Sequence, residues 1–198
     1  CGYKVTSKTP TQAQTTRALR NIFPADMPDC DVVLLGYVEA LVPSVGEWQG
    51  NDDIKWKLEM INGQKVVFVG VAFSYWGNII YSVVEMLAKY CSTIIYVGKL
   101  GSLSSSDIPN ATIATGDSSY VDGSLITWNN LFKKSPLTVE GSHYTLPSVL
   151  DETAKWYNES KDKYRFVDLE IGWAAKAAND FGLVFSYLHL VTDNLWTV

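Results

Sequence analysis

The sequence has little charge and no long run of one sign. Charged residues make up 19% of its 198 residues, and the formal net charge is -5. Proteins that bind duplex nucleic acid or an anionic membrane surface carry a concentrated basic patch, and none is visible here. The longest apolar runs are too short to cross a bilayer, and no signal-peptide pattern opens the sequence. We therefore expect neither nucleic acid nor a membrane as a partner.

Cysteine and histidine are also scarce. Cys1, Cys30 and Cys91 are odd in number and widely spaced, without a C-x-x-C pair, which favours neither a disulfide framework nor a structural metal site. This usage is typical of a reduced chain in the cytoplasm. His143 and His189 are isolated in the sequence. Because His189 lies in an apolar run, it is expected to be a hydrogen-bonded core residue rather than a ligand.

Several catalytic motifs are missing. There is no Ser/His/Asp or Cys/His set and no G-x-S-x-G elbow. The stretch "GKLGSL" lacks the spacing of a phosphate-binding G-x-x-x-x-G-K-[ST] loop. The sequence thus predicts no cofactor and no metal.

Apolar, β-branched runs alternate with segments of helical spacing, and hydrophobic residues make up 47% of the chain. Such alternation predicts one α/β domain with a mostly parallel or mixed central sheet between two helical layers. Residues 1–30 are polar and irregular, so we expect an N-terminal extension with at most one helix before a domain at 31–198. The predicted strands are 31–41, 64–73, 92–98, 110–123 and 183–194, and the predicted helices are 78–90, 148–162 and 167–181.

Carboxylates stand at the boundaries of these predicted elements. Glu39 follows the first strand, Asp193 follows the apolar part of the last, and Glu170 lies near the start of the 167–181 helix. In α/β folds the carboxyl ends of the strands are where ligands bind. We therefore expect these three carboxylates to line one pocket. Trp76, which follows a strand, is a further candidate for its wall.

Each carboxylate also has a purely structural interpretation. A glutamate after a buried strand, such as Glu39, is often solvated. Asp193 could form an Asx-turn or cap a helix. Asp168 and Glu170 would interact favourably with the dipole of a helix that starts there. The residues alone leave both interpretations open.

Four stretches together resemble one protein family. "VVLLGYVEAL" resembles the opening strand of the nucleosidases that cleave methylthioadenosine and S-adenosylhomocysteine, and "IIYVGKLGSL" resembles their central strand and glycine loop. "NATIATGDSSYVDG" resembles the next strand. "VDLEIGWAAKAANDFGLVFSYLHLVTDN" resembles their Met-Glu helix and the strand that ends in Ser-Asp. The resemblance covers roughly residues 31–198 and implies the three-layer fold of the nucleoside phosphorylase and nucleosidase superfamily.

The resemblance also implies roles. Glu170 would accept hydrogen bonds from both ribose hydroxyls, and Leu169 would lie near the sugar. Asp193 would protonate the leaving purine, and Glu39 would orient and deprotonate the attacking water. The implied function is an N-ribosyl hydrolase that acts on a purine nucleoside or a 5'-substituted nucleoside. Members of this family associate, so a homodimer is expected.

Two positions depart from the family pattern. Tyr96 stands where the phosphorylases have a phosphate-binding arginine, which argues against phosphorolysis. Lys99 stands beside the loop glycine Gly98, where a small hydroxyl residue is usual, and both are expected in the ligand-binding loop. Lys99 could bind phosphate, pair with Asp193 or block the base site. Two alternatives therefore stay open, namely a nucleoside-binding module with little or no catalysis and a phosphorylase that uses Lys99.

The ends of the sequence differ from the family as well. It begins with Cys1 rather than methionine, which suggests missing leading residues. It stops at Val198, shortly after Asp193, where family members continue with another helix. We expect that helix to be missing from the sequence, or else the site to be more open than usual.

Overall fold

A computed structural model describes residues 11–42, 46–71 and 77–195. Trp76 and Cys1 lie outside these ranges. The helices are α1 (Gln12–Arg20), α2 (Ile79–Leu87), α3 (Ala154–Ser160) and α4 (Ile171–Asp180), and short helical turns occur at Glu39–Leu41 and Val149–Asp151. The strands are β1 (Val32–Gly36), β2 (Gln49–Gly50), β3 (Ile54–Ile61), β4 (Gln64–Val71), β5 (Thr93–Ser102), β6 (Ile113–Thr115), β7 (Ser118–Val121), β8 (Ser124–Thr127), β9 (Val139–Glu140), β10 (His143–Thr145), β11 (Phe166–Asp168) and β12 (Val184–Asn194).

The centre of the sheet is parallel. β5 lies between β1 and β12, and β1 also pairs with β4. These four strands coincide with four of the apolar runs predicted as buried strands, because only a strand covered on both faces needs a continuous run of apolar residues. Away from the centre, β3 runs antiparallel to β4 and β11 antiparallel to β5. The sheet is therefore mixed.

Successive residues of the central strands face two different layers. Val67 and Val69 pack with α1, α2 and α4 in the main core, whereas Val66 and Phe68 pack on the opposite face. At the other end of the sheet that second face carries α3, whose Trp156 packs within a separate apolar cluster. The sheet thus lies between two layers, and the predicted α/β fold class is confirmed.

A hairpin at the edge of the sheet was not predicted. β3 and β4 are joined by Asn62 and Gly63, whose φ angles are 50° and 81°. These values are typical of the two-residue turns that match the twist of an antiparallel pair, and Asn-Gly is their preferred sequence. The alternating pattern of "IKWKLEMI" fits a strand with one exposed face. The Asn-Gly turn and the alternating pattern of β3 were thus present in the sequence. The strand prediction rested on continuous apolar runs, which indicate only buried strands.

Several predicted boundaries were wrong. The 110–123 segment forms two strands, β6 and β7, and the 148–162 segment forms a short turn followed by α3. The helix predicted at 167–181 begins later, because its first residues form β11 and pair with β10. The strand predicted at 92–98 continues through Ser102 as β5. Of the strand predicted at 64–73, residues 72–73 lie outside the described ranges.

The described part of the 1–30 segment packs on the main core. Leu19 and Phe23 are buried there, and α1 lies against α2. Gln12 donates a hydrogen bond from Nε2 to the Ser82 hydroxyl at 2.8 Å, and the Thr16 hydroxyl donates to Glu85 at 3.0 Å. Residues 12–23 therefore contribute to the same core as the sheet.

The structure bears on two sequence predictions, that no segment crosses a membrane and that the cysteines form no disulfide framework. Within the described ranges, every helix is too short or too polar to cross a membrane. Cys30 and Cys91 are free thiols, and burial raises the pKa of Cys30 to about 11 and that of Cys91 to about 12. Both thiols stay protonated at neutral pH and are poor nucleophiles.

α4 approaches the sheet closely at Gly172. A Cβ added there would lie 2.7 Å from Val121 Cβ, 2.8 Å from Thr145 Oγ1 and 2.9 Å from Ser119 Oγ. Real Cβ atoms do not approach other heavy atoms this closely. The glycine therefore lets the first turn of the helix rest directly on β7 and β10.

We expect Gly172→Ala to destabilise the protein by about 1–3 kcal/mol, the usual cost of overpacking, despite the better helix propensity of alanine. Urea unfolding measures the change. Lys176→Ala on the exposed side of the same helix is the control and should change stability by less than about 0.5 kcal/mol. An alanine variant as stable as the wild type would show that α4 can move away from the sheet without cost.

Candidate functional site

The strands β1, β4, β5 and β12 are parallel, so their carboxyl ends lie at the same end of the sheet, which we call the carboxyl edge. β1 ends at Gly36, which is opposite Val97 of β5. β5 and β12 run on past that level to Ser102 and Asn194. The predicted site residues Glu39 and Asp193 thus both belong to this edge.

Glu39 is exposed and lies in the short turn that follows β1. A Cβ added to Gly70, near the end of β4, would lie 3.7 Å from Glu39 Cγ, 3.8 Å from its Oε1 and 3.6 Å from Trp48 Cζ3. The carboxylate and an indole ring therefore flank the end of β4. Trp48 was not among the predicted site residues, since nothing in its local sequence distinguishes it from a core tryptophan.

Glu170 is half-buried and directly precedes α4. Burial raises the pKa of its carboxyl to about 9, and the charge of Asp168 adds to this effect. Hydrogen bonds from the backbone N–H groups of Leu169 and Gly77 act in the opposite direction but are weaker. Glu170 consequently holds a proton at neutral pH when no ligand is bound. Gly77 directly precedes Asn78, the N-cap residue of α2, so Glu170 reaches from the start of α4 towards the start of α2.

Asp193 is exposed and lies near the end of β12, inside the strand predicted at 183–194, which continues past a bulge to Asn194. The Thr192 hydroxyl donates to Asp193 Oδ1 at 3.0 Å. A Cβ on Gly101 of β5 would lie 2.9 Å from Oδ2. Burial, followed by the charge of Asp193, raises the pKa of Glu152. Asp193 therefore lies over the glycine of the neighbouring strand and has a second carboxyl nearby.

Gly98 and Lys99 both lie within β5, whereas the sequence predicted that the strand stops at Gly98 and a loop follows. Lys99 is opposite Leu190, and its ammonium lies 5.7 Å from the centre of the Tyr37 ring. None of the salt bridges between described residues joins it to Asp193, so that interpretation is not supported. Alternation along β5 nevertheless places Lys99 on the same face as Gly101, about 7 Å away along the strand. The ammonium and Asp193 thus share one face of this edge.

On the opposite face of β5, the His189 ring occupies the space that a side chain at Gly98 would fill. A Cβ on Gly98 would lie 2.6 Å from His189 Nε2, and the Tyr96 ring meets the imidazole edge to face with centres 4.7 Å apart. Burial lowers the pKa of His189 to about 4, so the ring is neutral at neutral pH. His189 is a core residue, as predicted, but its Nδ1 has no hydrogen-bond partner among the described residues. Tyr96 packs on the same side of the sheet.

Leu169 belongs to a small apolar cluster beside α3. It is 9% exposed and packs with Leu103, Leu146 and Val167. Its side chain therefore contributes to the core on the second face of the sheet. The sequence placed it near the sugar, and that role stays a prediction.

A buried polar cluster lies beneath the start of α4. Asp168 Oδ1 lies 3.1 Å from His143 Nε2 and accepts from the Thr145 hydroxyl at 3.2 Å. The Ser119 hydroxyl lies 2.9 Å from His143 Nδ1 and 3.0 Å from Thr145 Oγ1. Sequence reasoning missed this cluster, because its residues come from three strands that pair only in the folded chain. His143 is therefore not isolated.

Asp168 also has the helix-start role that the sequence predicted. Its carboxylate accepts the N–H of Ile171, the first residue of α4, at 2.9 Å. Burial by itself would raise the pKa of Asp168, but His143, through its charge and its hydrogen bond, together with that N–H, lowers it below the ordinary value. The group is thus ionised although it is buried.

No three His, Cys, Asp or Glu residues within the described ranges are placed to hold a metal ion.

Solved structures with the same fold are found at low sequence identity. The MTA/SAH nucleosidase of Streptococcus pneumoniae aligns with a TM-score of 0.67 at 16% identity, over 83% of this chain and 87% of that one. Futalosine hydrolase of Helicobacter pylori gives 0.66 at 12%, over 82% and 84%. A P. knowlesi homolog of P. falciparum PNP gives 0.66 at 13%, over 84% and 79%. The resemblance read from the motifs is confirmed at the level of the fold.

Sequence comparisons are less informative. No protein-family model matches the chain. A curated relative, "Oxidoreductase cns1" of Cordyceps militaris, is 25% identical over 173 residues. The match covers 76% of this chain but only 22% of that protein. The chain thus spans about a fifth of the curated relative's length.

The raised pKa of Glu170 predicts a pH-dependent stability difference. Because the folded-state value of about 9 lies above the ordinary 4.5, the folded protein holds an extra proton between these values, and stability falls as pH rises through this range. Glutamine carries no such proton. We therefore expect the stability of Glu170→Gln relative to wild type to increase steadily from about pH 5 to about pH 9, as measured by urea unfolding.

The control is Glu159→Gln, the same substitution at an exposed position of α3. Its stability difference from wild type should change little over this pH range. If the Glu170 variant behaves like this control, the carboxyl at position 170 is ionised in the folded protein.

Proposed function

We propose that the protein is an N-ribosyl hydrolase that cleaves the glycosidic bond of a purine nucleoside or a 5'-substituted nucleoside. The observation that carries this proposal is Glu170 itself, a half-buried carboxyl directly before α4 that accepts the backbone N–H of Gly77 near the start of α2. The fold supports it, since solved structures with this fold include nucleosidases and a hydrolase of futalosine.

Glu170 binds the ribose diol in this proposal. Two neighbouring hydroxyl groups are donors, and one carboxylate accepts from both with charge-assisted hydrogen bonds. The empty site holds the proton, so ribose binding releases it. The resulting negative charge then lies near the cationic sugar that develops as the bond breaks, and it stabilises the transition state more than the ground state.

Asp193 protonates the leaving base. A purine that departs with its bonding electrons needs a proton on a ring nitrogen, and a carboxylic acid supplies it. The Thr192 hydroxyl donates a hydrogen bond to Asp193 Oδ1. Oδ2 lies over Gly101, where the neighbouring strand β5 carries no side chain. Burial, followed by the negative charge of Asp193, raises the pKa of the neighbouring Glu152 carboxyl.

Glu39 activates the water. It stands beside the end of β4, and its exposed carboxylate accepts a proton as the water attacks the sugar. Phosphate is disfavoured as the nucleophile for two reasons. Glu39 repels an anion, and Tyr96 packs against His189 where the phosphorylases have an arginine. Lys99 offers only a point charge.

Base release should therefore proceed at the same rate with and without phosphate. The test is chromatography of a panel of purine nucleosides, which follows free base and sugar products in the two buffers. We expect ribose or 5'-substituted ribose as the second product. A rate that rises with phosphate, together with a sugar 1-phosphate, would assign the reaction to a phosphorylase that uses Lys99. Ligand binding without any base release would assign a binding module.

Asp193→Asn and Glu170→Ala should have different effects. The asparagine cannot deliver a proton, so kcat should fall by about 10²- to 10⁴-fold with nearly unchanged ligand affinity. Glu170→Ala should weaken binding as well, because two hydrogen bonds worth about 1.5–3 kcal/mol each are lost. Steady-state kinetics and calorimetry separate the two effects.

Asp117→Asn, the same substitution at an exposed residue, is the control and should leave both constants unchanged. Equal losses of affinity in the Asp193 and Glu170 variants would contradict the division of roles. The expected homodimer and cytoplasmic location stay predictions from the sequence.

A further inference from the structure

The first turn of α4 is held from below by hydrogen bonds whose direction can be derived. An ionised carboxylate only accepts, so the Thr145 hydroxyl donates its single proton to Asp168. The Thr145 oxygen then accepts the N–H of Gly172 at 2.8 Å, and Asp168 accepts the N–H of Ile171 at 2.9 Å. Two of the helix's initial N–H groups, which have no partner inside the helix, are thus bound by two side chains that bind each other.

The remaining members of the cluster fix these two side chains. Ser119 lies within hydrogen-bond distance of both Thr145 and His143, and His143 lies against Asp168. All four side chains are at least nine-tenths buried. The cluster therefore has no water competing for its hydrogen bonds, and each member limits the rotamers of the others.

We propose that the buried cluster of Ser119, His143, Thr145 and Asp168 positions Glu170 for its ligand by fixing the first turn of α4. This inference rests on the proposed function, in which Glu170 binds the ribose diol. Glu170 is the residue directly before Ile171, so a shift of that turn moves its carboxyl by the same amount. Because Gly172 has no side chain, the helix lies directly on Ser119 and Thr145, and the first turn of α4 has little room to move relative to the cluster.

Thr145 is the positioning residue to test, because it can be changed without altering the charge of the cluster. Thr145→Val keeps the shape but removes the hydroxyl. The Gly172 N–H then loses its acceptor, and Asp168 loses a donor. Thr145→Ser keeps the hydroxyl and serves as the rescue variant. Thr127→Val is the matched control, since the same change is made at an exposed position of the edge strand β8.

The readout is diol discrimination, the ratio of the dissociation constants of 2',3'-dideoxyadenosine and adenosine, measured by calorimetry with every protein carrying Asp193→Asn so that bound adenosine is not cleaved. Two charge-assisted hydrogen bonds make this ratio about 10²-fold or more in the wild type. A misplaced carboxyl loses most of it, so we expect Thr145→Val to lower the ratio at least about tenfold. Thr145→Ser and Thr127→Val should keep the wild-type ratio.

A merely structural role for Thr145 would weaken both nucleosides equally and leave the ratio unchanged, which would overturn the proposal. Ser119→Ala provides a milder variant if Thr145→Val does not fold. It removes the hydroxyl that orients both Thr145 and His143, so the ratio should again fall. An unchanged ratio in a folded Ser119→Ala protein would count against the proposal in the same way.

Failure of the proposed function gives a different result. In that case the wild type itself would bind neither nucleoside or would not discriminate between them. The cluster is then tested without ligand through the ¹³C carboxyl resonance of Glu170. This group is faced by Asp168 and by the N–H groups of Leu169 and Gly77. A titration midpoint that moves in Thr145→Val but not in Thr127→Val supports positioning by the cluster, and an unmoved midpoint overturns it.

Discussion

The parallel pairing of β5 with β1 and β12 is the constraint on which the site depends. It brings the ends of β1, β4 and β12 to one edge, although they come from distant parts of the chain. β5 has no side chain at Gly98 and Gly101, and there His189 and Asp193 of β12 lie across it. Gly98 thus leaves room for the His189 imidazole on the face of the main core. Gly101 leaves the Asp193 carboxylate exposed on the opposite face. Every candidate group at the edge is placed relative to this strand.

The fold accommodates the carboxyl groups of the candidate site in three physically distinct ways. Glu39 and Asp193 stay exposed, so water screens their charge. Asp168 is buried but ionised, because His143 and a backbone N–H stabilise its charge. Glu170 is half-buried near that charge and keeps its proton instead. The last arrangement is the one that a ligand can change, since hydroxyl donors favour the ionised form.

The sequence predicted the elements whose signal is local. The buried strands β1, β4, β5 and β12 were recognised because each is a continuous apolar run, and the carboxylates were recognised because they stand beside such runs. β11 was read as the start of a helix, since three residues carry no period of their own and only their pairing with β10 makes them a strand. The contact between His143 and Asp168 depends on that same pairing. Loop-like composition likewise hid the continuation of β5 past Gly98 into Lys99, where pairing with β12 imposes the extended conformation.

The imidazole of His189 occupies the volume that a side chain at position 98 would need. The space between positions 98 and 189 therefore holds only one large side chain, although the two residues lie on different strands and about ninety residues apart. A methyl group can enter position 98 only if the residue at 189 becomes smaller, and an imidazole can be kept at 189 only beside glycine. Homologous sequences should accordingly show substitutions at these two positions that occur together, as a single inherited unit. Such paired changes would separate lineages that keep this core from lineages in which a smaller neighbour frees the central strand to carry a side chain.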